Sequence, residues 1–359
     1  MNYFDDVNTN RIEEQNKQIH ILPRKIKYLK KLMLLRLSHN KLTFLPKEIK
    51  YLINLHWIYL NHNQIKALPK EIKYLTKLYE LNLTNNYISY LPKEIKYLKI
   101  GILNLSNNYI SVIPKEIKYL TQLLGLVMAN NQIHTLPKEI KYLKFNLLYL
   151  ELSNNQLTVL PKEIKYLKSL KHLYLSDNNL TVLPKEIKYL TELIHLYVSS
   201  NPLTILPKEI KYLVNLKCLD LLRCQITALP KEIKYLVNLE ECYLSNNYIL
   251  YLPKEIKYLI KLTYLDLSNN YISVMPKEIK YLTNLQKLHF PNNYISAIPK
   301  EIKYLKSLQI LNFSDSQIAY LPKEIFYLVN LKCLYLSHNK IIYTPNTKLF
   351  KISNGYINI

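Results

Sequence analysis

The chain has 359 residues and a formal net charge of +23, from 49 Lys and Arg against 26 Asp and Glu. With 3 glycines and 4 cysteines, its composition excludes a glycine-rich phosphate-binding loop and a disulfide-rich framework. No apolar run approaches the length of a membrane span, and no Ser/Gly-rich, Pro-rich or charged stretch marks a linker.

The N-terminal segment reads MNYFDDVNTNRIEEQ, which is polar and acidic and lacks the apolar core of a signal peptide. The cysteines form no cluster at either end of the chain. We therefore expect an intracellular, cytoplasmic protein in a reducing compartment. In residues 11–22 the apolar pattern is degraded, and Glu14 falls near a core position. Residues 1–22 are predicted to form an N-terminal cap.

One motif, PKEIKYL, organises the rest of the chain. It occurs intact twelve times, first at residues 46–52, and imperfect copies lie at 23–29 and 322–328. Most copies start 23 residues apart, and a fixed period of this size is the signature of a solenoid. We predict about fourteen repeats in residues 23–345. Residues 346–359 are predicted to be a C-terminal cap whose Leu349, Phe350 and Ile352 cover the last repeat.

The segments between the motifs predict a short strand and a turn. In residues 78–91, Leu81 and Leu83 alternate as on a strand with one buried face. Asn86 follows three residues later, where its amide can donate to and accept from backbone groups of the turn. The same position recurs through the chain and predicts an asparagine ladder: Asn40, Asn63, Asn86, Asn108, Asn131, Asn155, Asn178, Asn201, Asn247, Asn270, Asn293 and Asn339.

Two repeats change the ladder residue and two change the period. Cys224 and Ser316 replace the ladder Asn. Because Ser forms fewer hydrogen bonds than Asn, the repeats near Ser316 are predicted to be weaker. One repeat has 22 residues and another 24, and both changes fall between the motif and the next strand, at 99–100 and 144–146.

The PKEIKYL motif itself predicts one or two turns of 3₁₀ or α helix. Pro suits the first position of a helical turn because the N–H that it lacks would have no partner there. Ile72 and Leu75 lie three residues apart and face inward together. Each copy carries two Lys and one Glu, so the twelve intact copies supply about half of the net charge.

These residues resemble the leucine-rich repeat family, and in particular its 23-residue intracellular class with LPxEIxxL, found in Ras-associated scaffold proteins. The resemblance implies an α/β right-handed solenoid, or horseshoe. Its parallel β-sheet would line the concave face, with short 3₁₀ or helical turns and loops on the convex face. The richness in Tyr, Asn, Ile and Lys is also similar to that of repeat proteins from large A/T-rich DNA viruses.

The outward-pointing strand residues vary from repeat to repeat, whereas the motif does not. Neighbouring strands lie about 4.8 Å apart, so these residues form contiguous columns. Aromatic side chains on an exposed sheet are typical of protein-binding hot spots. The candidate partner-binding residues on the expected concave face are Trp57, Tyr59, Tyr149, Glu151, His172, Tyr174, His195, Tyr197, Asp220, Glu241, Tyr243, Tyr264 and Asp266.

Charge distinguishes the possible partners. In these columns the acidic residues outnumber the two basic ones, Arg36 and Lys287, so a nucleic acid would meet the wrong sign there. The Lys-rich convex stripe is the alternative site, for RNA or an anionic membrane, but a Glu lies within each Lys pair. A third alternative is a recently expanded repeat protein with no specific ligand.

The sequence gives little support for metal binding or catalysis. His172 and His195 could ligate a metal with Glu151 or Cys218, but side chains on a flat sheet point in parallel and do not converge. Cys218 and Cys333 are expected to be exposed thiols without a nearby base, which argues against nucleophilic catalysis. We predict no enzyme activity, no metal and no cofactor.

The sequence therefore predicts a monomeric protein–protein interaction module without a transmembrane segment. The family resemblance implies small GTPases or signalling and ubiquitin-pathway proteins as partner classes.

Overall fold

A computed structural model describes Phe4, residues 6–342 and the backbone of Tyr356–Asn358. The chain forms two compact units, unit 1 (Met1–Asn179) and unit 2 (Leu180–Ile359). The proposed C-terminal cover by Leu349, Phe350 and Ile352 lies outside the described residues.

Unit 1 alternates three-residue strands with short 3₁₀ helices. Its described strands are β1 (Arg11–Glu13), β2 (Leu34–Arg36), β3 (Trp57–Tyr59), β4 (Glu80–Asn82), β5 (Ile102–Asn104), β6 (Gly125–Val127), β7 (Tyr149–Glu151) and β8 (His172–Tyr174). Its described 3₁₀ helices are η1 (Arg24–Tyr28), η2 (Lys47–Tyr51), η3 (Lys70–Tyr74), η4 (Lys93–Tyr97), η5 (Lys115–Tyr119), η6 (Lys138–Leu143) and η7 (Lys162–Tyr166).

Unit 2 has the same alternation. Its described strands are β9 (His195–Tyr197), β10 (Cys218–Asp220), β11 (Glu241–Tyr243), β12 (Tyr264–Asp266), β13 (Lys287–His289), β14 (Ile310–Asn312), β15 (Cys333–Tyr335) and β16 (Tyr356–Asn358). Its described 3₁₀ helices are η8 (Lys185–Tyr189), η9 (Lys208–Tyr212), η10 (Lys231–Tyr235), η11 (Lys254–Tyr258), η12 (Lys277–Tyr281), η13 (Lys300–Tyr304) and η14 (Lys323–Tyr327).

Within each unit the strands pair in parallel and in chain order. Equivalent residues of successive repeats lie opposite one another, as Tyr149 does to His172 and Cys218 to Glu241. The middle residue of each strand from β1 to β15 is buried and belongs to the core, together with the inward Leu and Ile of the motif. This confirms the predicted α/β repeat architecture, in which apolar side chains are buried only by stacking of neighbours.

Each PKEIKYL segment forms a single 3₁₀ helix. In the first intact copy the Ile49 N–H donates to the Pro46 carbonyl and the Leu52 N–H to the Ile49 carbonyl, both at 3.0 Å. Pro46 itself is extended, with ψ 154°, and precedes the first helical residue, Lys47. The expectation that Pro occupies the first helical position is therefore wrong by one residue. Its missing N–H still costs nothing, because the residue before a helix uses only its carbonyl.

The turn after each strand is built without glycine. The residue before the ladder position has a positive φ in every repeat, and it is Asn, Asp, His, Ser or Arg, as at Asn246 (φ 55°) and Asp177 (φ 53°). Asn and Asp tolerate this left-handed conformation better than most residues because their short side chains bond locally. The scarcity of glycine is thus compatible with a tight turn in each repeat.

The ladder asparagines connect each repeat to the preceding one. Asn247 Nδ2 donates to the Leu221 carbonyl at 2.8 Å and to the Leu244 carbonyl at 3.0 Å. Its Oδ1 accepts from the Ile226 N–H at 2.9 Å. Two of these partners belong to the preceding repeat, so one side chain satisfies backbone groups of two neighbours.

The substituted ladder positions make weaker contacts. Cys224 Sγ lies 3.4 Å from the Val198 carbonyl, and the Leu203 N–H donates to the Asn201 carbonyl at 2.8 Å. Ser316 Oγ donates to the Phe290 carbonyl at 3.5 Å. Both side chains lack the amide oxygen that accepts the N–H in the other repeats.

Both changes of period fall after the 3₁₀ helix, where the sequence places them. After η4, Leu98 is fully extended (ψ 144°) and β5 begins sooner. Gly101 lies in this shortened connection, where a Cβ would come within 2.5 Å of the Tyr79 ring. In the longer repeat η6 extends to Leu143, and Asn146 Nδ2 donates to the Thr121 carbonyl at 2.8 Å.

Candidate functional site

In each unit the first and third residues of the strands form a sheet face, on β2–β8 in unit 1 and on β9–β15 in unit 2. Most of these side chains are half-buried rather than fully exposed, because each packs against the equivalent side chains of adjacent strands. Trp57 and Lys287 are the exposed exceptions, whereas Gly125 and Cys218 are buried. The face is therefore a packed layer, and it consists of the residues that the sequence assigned to the two columns.

An arginine and two aromatic residues form a corner of the sheet face near the N-terminal end of unit 1. The Arg36 guanidinium lies 4.8 Å from the Tyr59 ring centroid, and Arg36 Nη1 is 3.0 Å from Glu13 Oε2. The Tyr59 hydroxyl donates to Glu80 Oε2 at 2.9 Å. Burial, and then the bond to Glu80, raises the pKa of Tyr59. Arg36, Trp57 and Tyr59 line part of a groove of about 360 Å³.

A second group in unit 1 is centred on Tyr149. Its ring centroid lies 5.0 Å from that of Tyr174 and 5.9 Å from that of His172. Burial is the main cause that raises the pKa of the Tyr149 hydroxyl, and the Glu151 charge adds to it. Burial also raises the pKa of Glu151, despite hydrogen bonds from Ser153 and Tyr149 that lower it. Tyr149 thus contacts two other predicted aromatic residues beside a half-buried carboxyl group.

In unit 2, tyrosines and carboxylates alternate along the sheet face. The Tyr243 and Tyr264 ring centroids are 4.8 Å apart, and the Tyr243 hydroxyl donates to Glu241 Oε2 at 3.0 Å. Tyr264 also lies 5.6 Å from His289. His195 and Tyr197 form a separate edge-to-face pair at 6.2 Å. The predicted residues Glu241, Tyr243 and Tyr264 of this unit therefore form one group, and His195 and Tyr197 form another.

His289 is part of this group although it was outside the predicted site. Burial lowers its pKa, against the opposing effect of the nearby Asp266 charge. Its place in the same column as Tyr243 and Asp266 is the signal that identifies it in the sequence.

Cys218 is not the exposed thiol that the sequence predicts. It is buried, with 3% of its surface exposed, and Cys333 is half-buried. Cys218 lies between the larger His195 and Glu241 in its column, and these neighbours limit its access to solvent. Burial raises the pKa of the Cys218 thiol to about 11, which disfavours the reactive thiolate at neutral pH.

Three of the predicted carboxylates also hold the turn that follows their strand. Glu151 Oε1 accepts from the Ser153 N–H at 2.7 Å, Asp220 Oδ1 from the Leu222 N–H at 2.9 Å, and Asp266 Oδ1 from the Ser268 N–H at 3.0 Å. Such bonds to the backbone two residues on are typical of Asp and Asn in turns. In the sequence, a carboxylate followed two residues later by a residue that is often Ser indicates this role.

Comparison with known families agrees with this geometry. The leucine rich repeat family matches residues 30–88, 145–203, 168–226, 237–295 and 283–341, and a second model of the same repeat matches residues 99–120. These matches cover more than half of the chain. The protein belongs to the leucine-rich repeat family.

Solved structures of leucine-rich repeat proteins align over almost the whole chain. A leucine-rich repeat protein of Leptospira interrogans is 37% identical with a TM-score of 0.90, covering 100% of this chain and 97% of that chain. A plant peptide hormone receptor, in complex with RGF2, is 26% identical with a TM-score of 0.64, covering 94% and 68%. An internalin from Listeria monocytogenes, at 21% identity and a TM-score of 0.72 over 96% and 89%, shares the fold. No curated protein matches the chain.

The other surface of this leucine-rich repeat protein is the turn face, formed by the Lys, Glu, Lys and Tyr of the KEIKY segments. In the intact copies the second Lys places its Nζ 5.0–5.2 Å from the ring centroid of the adjacent Tyr. These tyrosines are 40–52% exposed. Each of these lysines therefore already has an aromatic partner within its own repeat.

Within the described residues, no group of three or more His, Cys, Asp or Glu side chains is placed to hold a metal ion. No helix in that part of the chain is long and apolar enough to cross a membrane.

Proposed function

We propose that this leucine-rich repeat protein is a non-enzymatic interaction module that binds a protein partner on its sheet face. The observation that carries the proposal is the contact between aromatic rings and carboxyl groups on that face in each unit. Tyr149 lies beside Tyr174 and Glu151 in unit 1, and Tyr243 beside Tyr264 and Glu241 in unit 2. Tyrosines held in place by packing lose little conformational entropy on binding, which favours them as hot spots.

Charge supports a protein rather than a nucleic acid as the partner on this face. Carboxylates of Glu80, Glu151, Asp220, Glu241 and Asp266 outnumber the basic Arg36 and Lys287. A phosphate backbone binds through Lys and Arg and would be repelled here.

The family resemblance suggests small GTPases and signalling or ubiquitin-pathway proteins as partner classes. The four cysteines are free, which suits an intracellular, reducing environment.

The experiment is selection from a peptide-display library on the full-length chain. Two face variants each remove two tyrosine side chains from the sheet face. They are Tyr149→Ser with Tyr174→Ser in unit 1, and Tyr243→Ser with Tyr264→Ser in unit 2. Each has a control that removes two turn-face tyrosines of the same unit, Tyr142→Ser with Tyr166→Ser, and Tyr235→Ser with Tyr258→Ser. Thermal unfolding of every variant establishes that it is folded.

We expect selected peptides to bind wild type and the turn-face controls equally, and to lose roughly tenfold or more in affinity on at least one face variant. Affinity should change little with salt. Peptides that bind all the variants equally would contradict the proposal. Polybasic-surface binding, in which acidic peptides or RNA are released by salt, would assign the function to the turn-face lysines instead.

A further inference from the structure

A different surface of unit 2 lies where the strands β11, β12 and β13 end. Three consecutive repeats carry the triplet Asn-Asn-Tyr there, at residues 246–248, 269–271 and 292–294. The middle Asn is the buried ladder residue, whereas the outer two side chains face solvent. We name this surface the Asn–Tyr groove, formed by Asn246, Asn269, Asn292, Tyr248, Tyr271 and Tyr294. Its volume is about 540 Å³.

The amides of the Asn–Tyr groove are free to bind a ligand. Asn246, Asn269 and Asn292 each adopt a positive φ of 53–55°, and all three residues are exposed. Among the residues that the structure describes, these side chains make no hydrogen bond. Each amide therefore offers two donor hydrogens and an acceptor oxygen to solvent.

The tyrosines form an aromatic row beside these amides. The Tyr248 and Tyr271 ring centroids lie 5.9 Å apart at 37°, and those of Tyr271 and Tyr294 lie 5.9 Å apart at 21°. These distances are longer than the roughly 4.8 Å between neighbouring strands. Each ring therefore leaves part of the next ring uncovered. The three side chains are 44–49% exposed, which leaves apolar ring surface and hydroxyl groups open.

The groove carries little charge although the protein has a net charge of +23. Among its lining residues Asp315 is the single Asp, Glu, Lys, Arg or His. A ligand that fits must therefore be neutral, rich in hydroxyl groups and apolar on its C–H faces. Sugars combine these properties. We propose that the Asn–Tyr groove binds a linear neutral glycan, with successive sugar residues on successive repeats.

The same arrangement recurs independently in unit 1. Asn85, Asn107 and Asn130 line a groove of about 390 Å³ with Tyr87 and Tyr109, and its lining contains no charged residue. The two rings are stacked at 6.0 Å and 11°. Two of these amides are already engaged, Asn85 with His62 at 3.1 Å and Asn130 with the Asn154 amide. This shorter groove is the weaker site.

The turn itself does not require these side chains. Asp177 and Arg223 occupy the first position of the triplet in other repeats with the same backbone φ of 52–53°. Asn179 and Gln225 occupy the third. Clustering of Asn with Tyr in consecutive repeats is therefore a property of the surface and not a demand of the fold.

The test uses the full-length chain and three neutral linear hexasaccharides, chitohexaose, cellohexaose and maltohexaose, in isothermal titration and saturation-transfer NMR. We expect at least one to bind, with an affinity that high salt leaves unchanged because no charge is neutralised. The triple variant Tyr248→Ser, Tyr271→Ser and Tyr294→Ser should lose roughly tenfold or more. Removal of three equally exposed turn-face tyrosines, Tyr258→Ser, Tyr281→Ser and Tyr304→Ser, should leave the affinity intact.

A second variant tests the amides without removing packing. Asn269→Asp keeps the shape and suits the turn, since Asp177 and Asp315 have the same conformation. It removes two donor hydrogens, so binding should weaken several-fold while the unfolding temperature stays the same. The proposal is overturned if no hexasaccharide binds wild type, or if both triple variants lose affinity equally. Binding confined to an anionic glycan such as heparin, and abolished by salt, would also overturn it.

Discussion

Carboxyl groups on the sheet face occupy positions that are partly closed to water, and Glu151 illustrates the effect. It accepts a hydrogen bond from the Ser153 N–H, yet burial dominates and raises its pKa. Since the folded-state pKa lies above that of the unfolded chain, the folded state holds its proton more tightly. The contribution of Glu151 to stability is therefore present below its unfolded pKa and is lost as the pH rises through the folded pKa.

Replacement of Glu151 should reveal this penalty. Glu151→Gln keeps an oxygen that can accept from Ser153 and removes a half-buried charge, so it should raise the free energy of unfolding at neutral pH. The gain should disappear below about pH 4, where the unfolded carboxyl is protonated. Urea denaturation at both pH values measures it. Glu163→Gln on the turn face is the control, and an equal gain there would refute the explanation.

Changing the two substituted ladder residues to Asn should increase protection of the backbone from amide exchange by different amounts. Ser316→Asn should supply a side-chain oxygen that accepts from the Ile295 N–H. The amide hydrogen of Ile295 should then exchange more slowly. Cys224→Asn should gain less, because the Leu203 N–H already donates to the Asn201 carbonyl. Hydrogen exchange followed by mass spectrometry compares the two. Uniform protection in wild type around both positions would show that Ser316 does not weaken its repeat.

At the scale of the element, sequence periodicity predicts almost everything about the strand and the 3₁₀ helix. Alternation of Leu81 and Leu83 and the spacing of Ile72 and Leu75 are local properties, which the chain carries in each repeat. Exposure is not local. Cys218 is buried because of its neighbours, and Glu151 serves a turn because its strand ends there. The columns of the candidate site could therefore be read from the sequence, while the accessibility of each member could not.

The two strand-associated glycines should respond differently to Ala. Gly101→Ala places a Cβ 2.5 Å from the Tyr79 ring, which must move, at a cost of about 1 kcal/mol. Gly125→Ala meets nothing within 4 Å and should be neutral or stabilising by about 0.4–1 kcal/mol. Thermal unfolding measures both. Tyr79→Ala in the Gly101→Ala background should remove the cost, and failure to do so would place the strain elsewhere.

For the molecule as a whole, the turn face concentrates positive charge. The Glu residues of the intact motifs make no ion pair within the described residues, so they offset the lysines only through space. Like charges on neighbouring repeats repel one another, and this repulsion opposes folding.

Added salt should therefore stabilise the protein. The unfolding temperature should rise when NaCl increases from roughly 0.01 to 0.15 M, because screening shortens the range of the repulsion from about 30 to 8 Å. Lys50→Gln with Lys73→Gln and Lys96→Gln should make the rise smaller. Differential scanning calorimetry measures both effects. An unfolding temperature that falls with salt would mean that attractive pairs dominate the turn face.

The hydrogen bonds of the asparagine ladder affect how the number of repeats can change during evolution. Asn247 reaches back to Leu221 and Ile226 in the preceding repeat, and Asn270 makes the equivalent bonds to Leu244 and Ile249. Because each link spans one neighbour, loss or gain of a whole repeat by unequal recombination leaves every remaining link intact. The fold therefore tolerates a change in the number of repeats, and the sheet face would lengthen or shorten with it.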